Sequence, residues 1–361
     1  MDRSSYYLLY LFSIVLVGYG TGYFCTRLAI AVATRLRILS YPTSRSSHTE
    51  PTPNIGGVGL VVPFLLILVA IHAYGIATNT SRFIAPPLFF YPLLLGGVLS
   101  FGVGLIDDIK PLQAVPKLLL QCLCAVIPLG LGLSFKQIVL PYVGSVPLGV
   151  WGYLLTAFWM LLMMNAYNFM DGMDGQGGSF AISVGGFTLL IVLGGMGTPA
   201  LRYILPALLG CAAGFLVFNR SPAQTFMGDC GSQFLGYLCA LLALFVSVTT
   251  EEHYPFLGFV ILLSPFLYDV IFTLFRRMQR RENILRAHRS HLYQRLLIAG
   301  FSHAQVLRIV GATFVISGLL AFAYSRSSSD LIRVLLLLAC ALLLVTYTLL
   351  VILIEKQRQK S

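Results

Sequence analysis

Charge is what this sequence has least of. Of its 361 residues, 10% are Asp, Glu, Lys or Arg, against about 25% in a typical soluble domain. So few charges cannot cover a water-facing surface, and this excludes a soluble globular fold. Only 13 residues are acidic, so carboxylates that recur beside glycines stand out. The seven cysteines show neither CxxC spacing nor a histidine partner suited to zinc. Six fall in apolar stretches and Cys230 in a loop, the pattern of small buried hydrophobes. The sequence has no internal repeat and no low-complexity tract. Its longest polar stretch, roughly residues 276–304, is too short for a separate soluble unit. Residues 1–361 therefore read as one membrane-embedded domain.

Apolar residues fill the rest, at 57% of the chain. Continuous apolar runs of about 20 residues recur, the length a helix needs to cross hydrocarbon. Barrel strands would alternate with period two, and these runs do not. The expected fold is an all-α polytopic bundle of about eleven transmembrane helices. The expected spans are 6–26, 55–75, 87–106, 112–131, 148–167, 179–196, 200–218, 232–249, 256–275, 305–324 and 331–354. The fourth contains Pro128 and glycines and is expected to be short or tilted. The first lacks a small-residue cleavage site and reads as a retained span.

Basic residues mark the cytoplasmic side of a membrane protein. With the N-terminus outside, most of the 24 Lys and Arg residues fall inside. They include Arg35, Arg37, Arg45, Lys110, Lys117, Arg220 and the cluster from Arg276 to Arg308. An odd number of spans puts the C-terminus in the cytoplasm too. The net charge of +11 then needs no nucleic acid; it is the positive-inside pattern, with room for an anionic substrate.

That orientation places the notable carboxylates in three loops on one side. "GLIDDIKP" ends a span on Asp107 and Asp108, where negative charge opposes the helix macrodipole. Two solvated helix-end aspartates are the plain alternative. "NAYNFMDGMDG" spaces Asn165, Asn168, Asp171 and Asp174 three apart before glycines break the helix. Such oxygen-rich side chains suit a hard cation such as Mg²⁺, which takes one or two protein carboxylates plus substrate phosphates. Glycines let backbone amides approach phosphate. "FMGDCGS" sets Asp229 at the start of a span, where free amides and the helix dipole favour an anion. Beside Asp229, that anion would be a phosphate carrying its metal.

Two basic segments complete the set. "SRSSHTEPTPNIGG" carries Arg45 and His48. "RENILRAHRSHLYQRL" carries His288, Arg289 and His291; the two histidines share a face if the segment is helical. Arginines there suit bidentate phosphate recognition better than metal ligation. Asp269, inside "SPFLYDVIFTLFRR", is an ionisable group within a span and so a functional candidate, with pairing to an arginine as the plain alternative.

Taken in order, "SSHTEPTPNIGG", "GLIDDIK", "NAYNFMDGMDG", "FMGDCGS" and "HRSH" resemble the polyprenyl-phosphate N-acetylhexosamine-1-phosphate transferases. The likeness covers roughly residues 6 to 354. It implies ten or eleven spans in a bacterial inner membrane, N-terminus periplasmic and C-terminus cytoplasmic. It implies transfer of a sugar 1-phosphate from a UDP-N-acetylhexosamine to undecaprenyl phosphate, with release of UMP. It also implies Mg²⁺, with Mn²⁺ as substitute, and allows a homodimer among membrane lipids. By resemblance Asn168 and Asp229 hold the metal, Asp107 and Asp108 lie near the acceptor phosphate, and Asp171 supports the site. Asp174 is expected near uridine, with Asn165 among the substrate-binding residues. His288, Arg289 and His291 are expected at the diphosphate or sugar, and Arg45 and His48 at the acceptor phosphate.

Within that superfamily, "HRSH" differs from the triple histidine of the peptidoglycan branch, which transfers phospho-MurNAc-pentapeptide. It is closer to transferases that initiate O-antigen and other surface glycans. "HRSHLYQRL" departs from the "HIHH"-type motif of the common-antigen enzyme and resembles transferases that load an N-acetylated 6-deoxyhexosamine such as FucNAc or QuiNAc, which speaks against GlcNAc, the other donor expected. An anionic-solute transporter would need polar groups at the midplane and repeated halves, and this chain has neither. A CDP-alcohol phosphotransferase would need an AR pair after "DG", where "QGGSF" stands.

Overall fold

Long apolar runs leave the backbone no partner but itself in hydrocarbon, so the chain folds almost wholly into helices. The computed structural model describes residues 3–42, 50–249, 255–283 and 288–358. Its helices are α1 (Arg3–Leu36), α2 (Val58–Ala77), α3 (Pro87–Pro92), α4 (Val98–Ile109), α5 (Ala114–Gly130), α6 (Trp151–Met170) and α7 (Gln176–Leu193). They continue with α8 (Leu201–Asn219), α9 (Gly228–Thr249), α10 (Pro255–Gln279), α11 (Leu292–Ile298), α12 (His303–Arg326) and α13 (Asp330–Arg358). Two short antiparallel hairpins interrupt them: β1 (Leu39–Ser40) with β2 (Thr52–Pro53), and β3 (Gln137–Leu140) with β4 (Gly144–Pro147).

The eleven expected spans each find a helical counterpart. Among the described residues nine helical segments are long and apolar enough to cross a membrane. The other two are α5 and α6. Helix α5 has 17 residues and contains Pro128, the short span expected there. Helix α6 has 20 residues, but Asn165, Asn168 and its tyrosines lower its hydropathy. The first span is longer than expected, so Arg27 and Arg35 lie on α1 rather than in a loop. The third is not a uniform α-helix: a π-turn at Leu93–Gly97 joins α3 to α4. The Tyr237 hydroxyl of α9 donates to Pro92 O at 2.8 Å beside this turn.

Helix α9 is the hub, with 89% of its apolar window buried. It is buried almost all round, as expected of a helix hydrophobic on every face. By contrast α1 and α13 bury 17% and 22% of theirs, which marks them as the lipid-facing periphery. Yet α1 grips α8 closely. Gly18 and Gly22 face Gly210 and Gly214, and an added Cβ at Gly210 would meet Val15 O at 2.3 Å. This small-xxx-small crossing is a common packing mode where lipid offers no hydrophobic drive.

Candidate active site

The site forms where the ends of α4, α5, α6 and α9 meet two loops. The "PNIGG" and "FMGD" segments are zipped together by backbone bonds. Phe226 N donates to Pro53 O (2.8 Å), Gly56 N to Phe226 O (2.9 Å) and Gly57 N to Met227 O (2.8 Å). Gly228, at φ +71°, turns the chain into α9, and a Cβ there would meet Asn54 O at 2.0 Å. Only glycine fits that turn.

Both aspartates of the pair are engaged. Asp108 accepts from Asp229 N (2.8 Å), Cys230 N (2.9 Å) and Asn54 Nδ2 (3.0 Å). Asp108, a side chain of α4, thus takes the first two amides of α9, the end of the helix where a phosphate was expected. Cys230, expected in a loop, lies buried in the first turn of α9. Asp107 accepts from Leu112 N (2.6 Å) and from Lys117 Nζ (2.7 Å). The same ammonium contacts Asp229 Oδ2. Lys117 therefore bridges two carboxylates, a role the sequence reading missed. The available signal was a lone lysine at the start of "PKLLLQCLCA".

Asn168 closes the cluster, its Nδ2 donating to Asp229 Oδ1 (2.7 Å) and Ser232 Oγ (2.9 Å). Asn165 does not join it. One turn deeper, it exchanges amide bonds with Gln121 at 2.9 and 3.3 Å, and Gln121 also donates to Gln233. The four residues spaced three apart do not share a continuous helix, because α6 ends at Met170. Asp171 caps its end and accepts from Gly177 N at 3.1 Å. Burial pushes its carboxyl up to about 7, against the pull of the Gly177 bond and with help from the Asp229 charge. Asp174 accepts from Ala223 N (3.3 Å) and faces His303 Nδ1 at 3.2 Å. Burial would raise its pKa, but His303, Ser221 and the Ala223 amide together hold it below the usual value.

A basic arm shares the cavity with the carboxylates. His288, Arg289 and Gln294 line the same cavity, of about 380 Å³, as Asn168, Asp171, Asp174, Asp229 and Ser232. Ser40 and Asn54, flanking the first polar loop, line it too. Arg45 and His48 lie outside the described residues. The two histidines do not share a helix face: residues 288–290 are not helical and His291 is the N-cap of α11. His291, expected at the substrate, is 2% exposed. Its Nδ1 lies 3.1 Å from Asp269 Oδ1, so Asp269 pairs with a histidine where an arginine was the plain expectation.

Among the described residues no three His, Cys, Asp or Glu side chains gather as a ready metal cage. Of the three carboxylates that line the cavity, Asp229 meets the amide of Asn168, beside an ammonium already lodged between carboxylates. That donor set fits Mg²⁺, which leaves most of its shell to phosphates and water.

A family model described as glycosyl transferase family 4 matches residues 90–247. A probable undecaprenyl-phosphate N-acetylglucosaminyl 1-phosphate transferase of Bacillus subtilis is 29% identical over 296 residues, covering 80% of this chain and 78% of that protein. A decaprenyl-phosphate N-acetylglucosaminephosphotransferase of Mycobacterium tuberculosis is 29% identical over 330 residues, 84% of this chain and 79% of that one. A phospho-N-acetylmuramoyl-pentapeptide-transferase of Synechococcus is 34% identical over 199 residues, 54% of this chain and 57% of its own length.

Proposed function

From the premise that the chain belongs to glycosyl transferase family 4, as a polyprenyl-phosphate sugar-1-phosphate transferase, we propose that it moves an N-acetylhexosamine 1-phosphate from a UDP-sugar to undecaprenyl phosphate. The observation that carries this reading is a single cavity lined both by acid and amide side chains and by His288, Arg289 and Gln294. Such a cavity, at the end of a helical bundle, suits a soluble diphosphate meeting a lipid-borne phosphate. The cavity faces the cytoplasm, as the basic bias supports, with the N-terminus outside and the protein in the inner membrane. The product would begin a surface glycan such as O-antigen.

The acceptor is a phosphate monoester with a second pKa of about 6, so it is largely ionised at neutral pH. Its oxygen attacks the β-phosphorus of the UDP-sugar. The bond from that phosphorus to the bridging oxygen breaks, and UMP leaves with the electron pair. The main obstacle is the approach of two anions. Lys117 and Arg289 offset that repulsion, and confinement of the carrier to the membrane plane supplies positioning. Asp229 and Asn168 would hold Mg²⁺, the amide turning its oxygen inward. When bound, the ion supplies charge stabilisation at the diphosphate. Asp107 and Asp108 stand on the acceptor side, and Asp174, anchored by His303, on the uridine side.

The test incubates purified protein with undecaprenyl phosphate, Mg²⁺ and a panel of UDP-N-acetylhexosamines, including GlcNAc and the 6-deoxy sugars FucNAc and QuiNAc. Release of UMP with a lipid-diphosphate-sugar is expected. No release from any donor would sink the reading. UDP-MurNAc-pentapeptide belongs in the panel because of the 34% identical relative. Turnover of that donor alone would move the protein to peptidoglycan synthesis.

A further inference from the structure

Asp269 is fully buried in α10 and does not line the cavity. A buried carboxylate is costly unless donors satisfy it. Here the donors come mainly from one place. Its Oδ1 accepts from Leu292 N (2.9 Å), lies 3.1 Å from His291 Nδ1 and accepts from Thr273 Oγ1 (3.1 Å); its Oδ2 accepts from Tyr293 N (3.4 Å). Three of these four groups belong to consecutive residues, His291 to Tyr293. They sit between Arg289 and Gln294, both of which line the cavity.

The arm's own secondary structure does little to hold it, although Leu292, Tyr293 and Leu296 are buried. Residues 288–290 are not helical, and α11 is seven residues long, too short to be stable alone. Other tethers act on either side. Arg276 donates to Ser290 O at 2.7 Å, and Arg295 pairs with Glu355 of α13. Tyr293 Oη donates to Phe169 O at 3.1 Å. Between the two cavity-lining residues, Arg276 holds Ser290 and Tyr293 reaches Phe169, while Asp269 binds three consecutive residues, His291 to Tyr293, from inside the bundle.

The geometry points to Asp269 as a positioning residue for the nucleotide-sugar: through His291 and the first amides of α11 it fixes Arg289 and Gln294 against the cavity. This rests on the donor reading proposed above. Its removal leaves the carboxylate cluster intact but lets Arg289 and Gln294 drift, and a displacement near 1 Å can cost about a hundredfold.

Asp269→Asn and Thr273→Val would be compared with wild type by steady-state kinetics in both substrates and by amide hydrogen exchange over residues 288–298. In Asp269→Asn, KM for the UDP-sugar should rise about tenfold or more, with KM for undecaprenyl phosphate within about twofold. Added to Arg289→Ala, the substitution should cost little further, since coupled residues are non-additive. Exchange at 291–298 should quicken. Thr273→Val, nearly isosteric, should shift the same quantities by about twofold, and it decides the matter if Asp269→Asn fails to fold. Unchanged KM, an equal rise for both substrates, or full additivity with Arg289→Ala would overturn the assignment. If wild type turns over no donor, the functional reading has failed, and exchange still judges the positioning: unchanged rates at 291–298 would refute it.

Discussion

The two walls of the cavity are built in different ways. The carboxylate wall stands on the ends of α4, α5, α6 and α9. Its bonds cross large gaps in sequence, from Asp108 to the α9 amides, from Lys117 to Asp107 and Asp229, and from Asn168 to Asp229. Each side chain there is held by a helix packed in the core and by a partner on another helix. The basic wall is a non-helical stretch and a short helix, anchored by Asp269. One wall derives its precision from the bundle itself, the other from a few buried tethers. Substitutions in the first should act on chemistry and stability together. Those in the second should act mainly on donor binding.

The largest effect is expected at Asp229, which touches Lys117 and Asn168 and faces the cavity. Asp229→Ala should lower kcat by about 10²- to 10³-fold, the scale on which one preorganised electrostatic group matters. It should also weaken the Mg²⁺ dependence of UDP-sugar binding, read by calorimetry. Normal Mg²⁺-dependent turnover would remove Asp229 from the machinery and erase the contrast between the walls.

Next comes Lys117. Lys117→Met leaves Asp107 and Asp229 without their shared cation, with both side chains mostly shielded from water. Like charges so placed repel, so Tm should fall along with activity. A second substitution, Asp107→Asn, should restore much of the Tm without restoring turnover. A Tm that stays low would mean that repulsion between the two carboxylates is not what destabilises Lys117→Met.

Much of this was legible in the sequence, for physical reasons. Hydrocarbon demands long apolar helices, so the spans could be read from composition; even the weak one, α5, was marked by Pro128. Scarce charge made Asp107, Asp108, Asp171, Asp174 and Asp229 conspicuous, and all but Asp107 and Asp108 line the cavity directly. What escaped was direction. A period of three in Asn165, Asn168, Asp171 and Asp174 suggested one stripe, but the helix stops at Met170, and Asn165 faces Gln121 instead. The histidine pair suggested two ligands of one face, while Asp269 holds His291 inside the bundle. Lys117 looked like one more positive-inside charge. Its meeting with two carboxylates 10 and 112 residues away is a property of packing, which no local pattern carries.

The smallest effect belongs to Asp171, which stands between the walls at the end of α6. Its carboxyl is raised from 3.8 to about 7, first by burial, opposed by the Gly177 N–H bond and aided by the Asp229 charge. The unfolded chain gives up this proton near its ordinary pKa, whereas the folded protein keeps it until about 7. Between those values the folded state holds more protons, so its stability falls as pH rises and levels off above the folded pKa. Asp171→Asn removes the titration while its amide oxygen can still accept from Gly177 N. The variant and wild type should therefore melt most nearly alike near pH 4, and the gap should widen as pH rises, the variant melting higher at pH 8 by about 2 °C or more for a chain of this size. The check is Tm against pH in detergent for both proteins. A gap that stays constant from pH 5 to pH 8 would mean that Asp171 does not titrate in this window, and that burial does not dominate its environment.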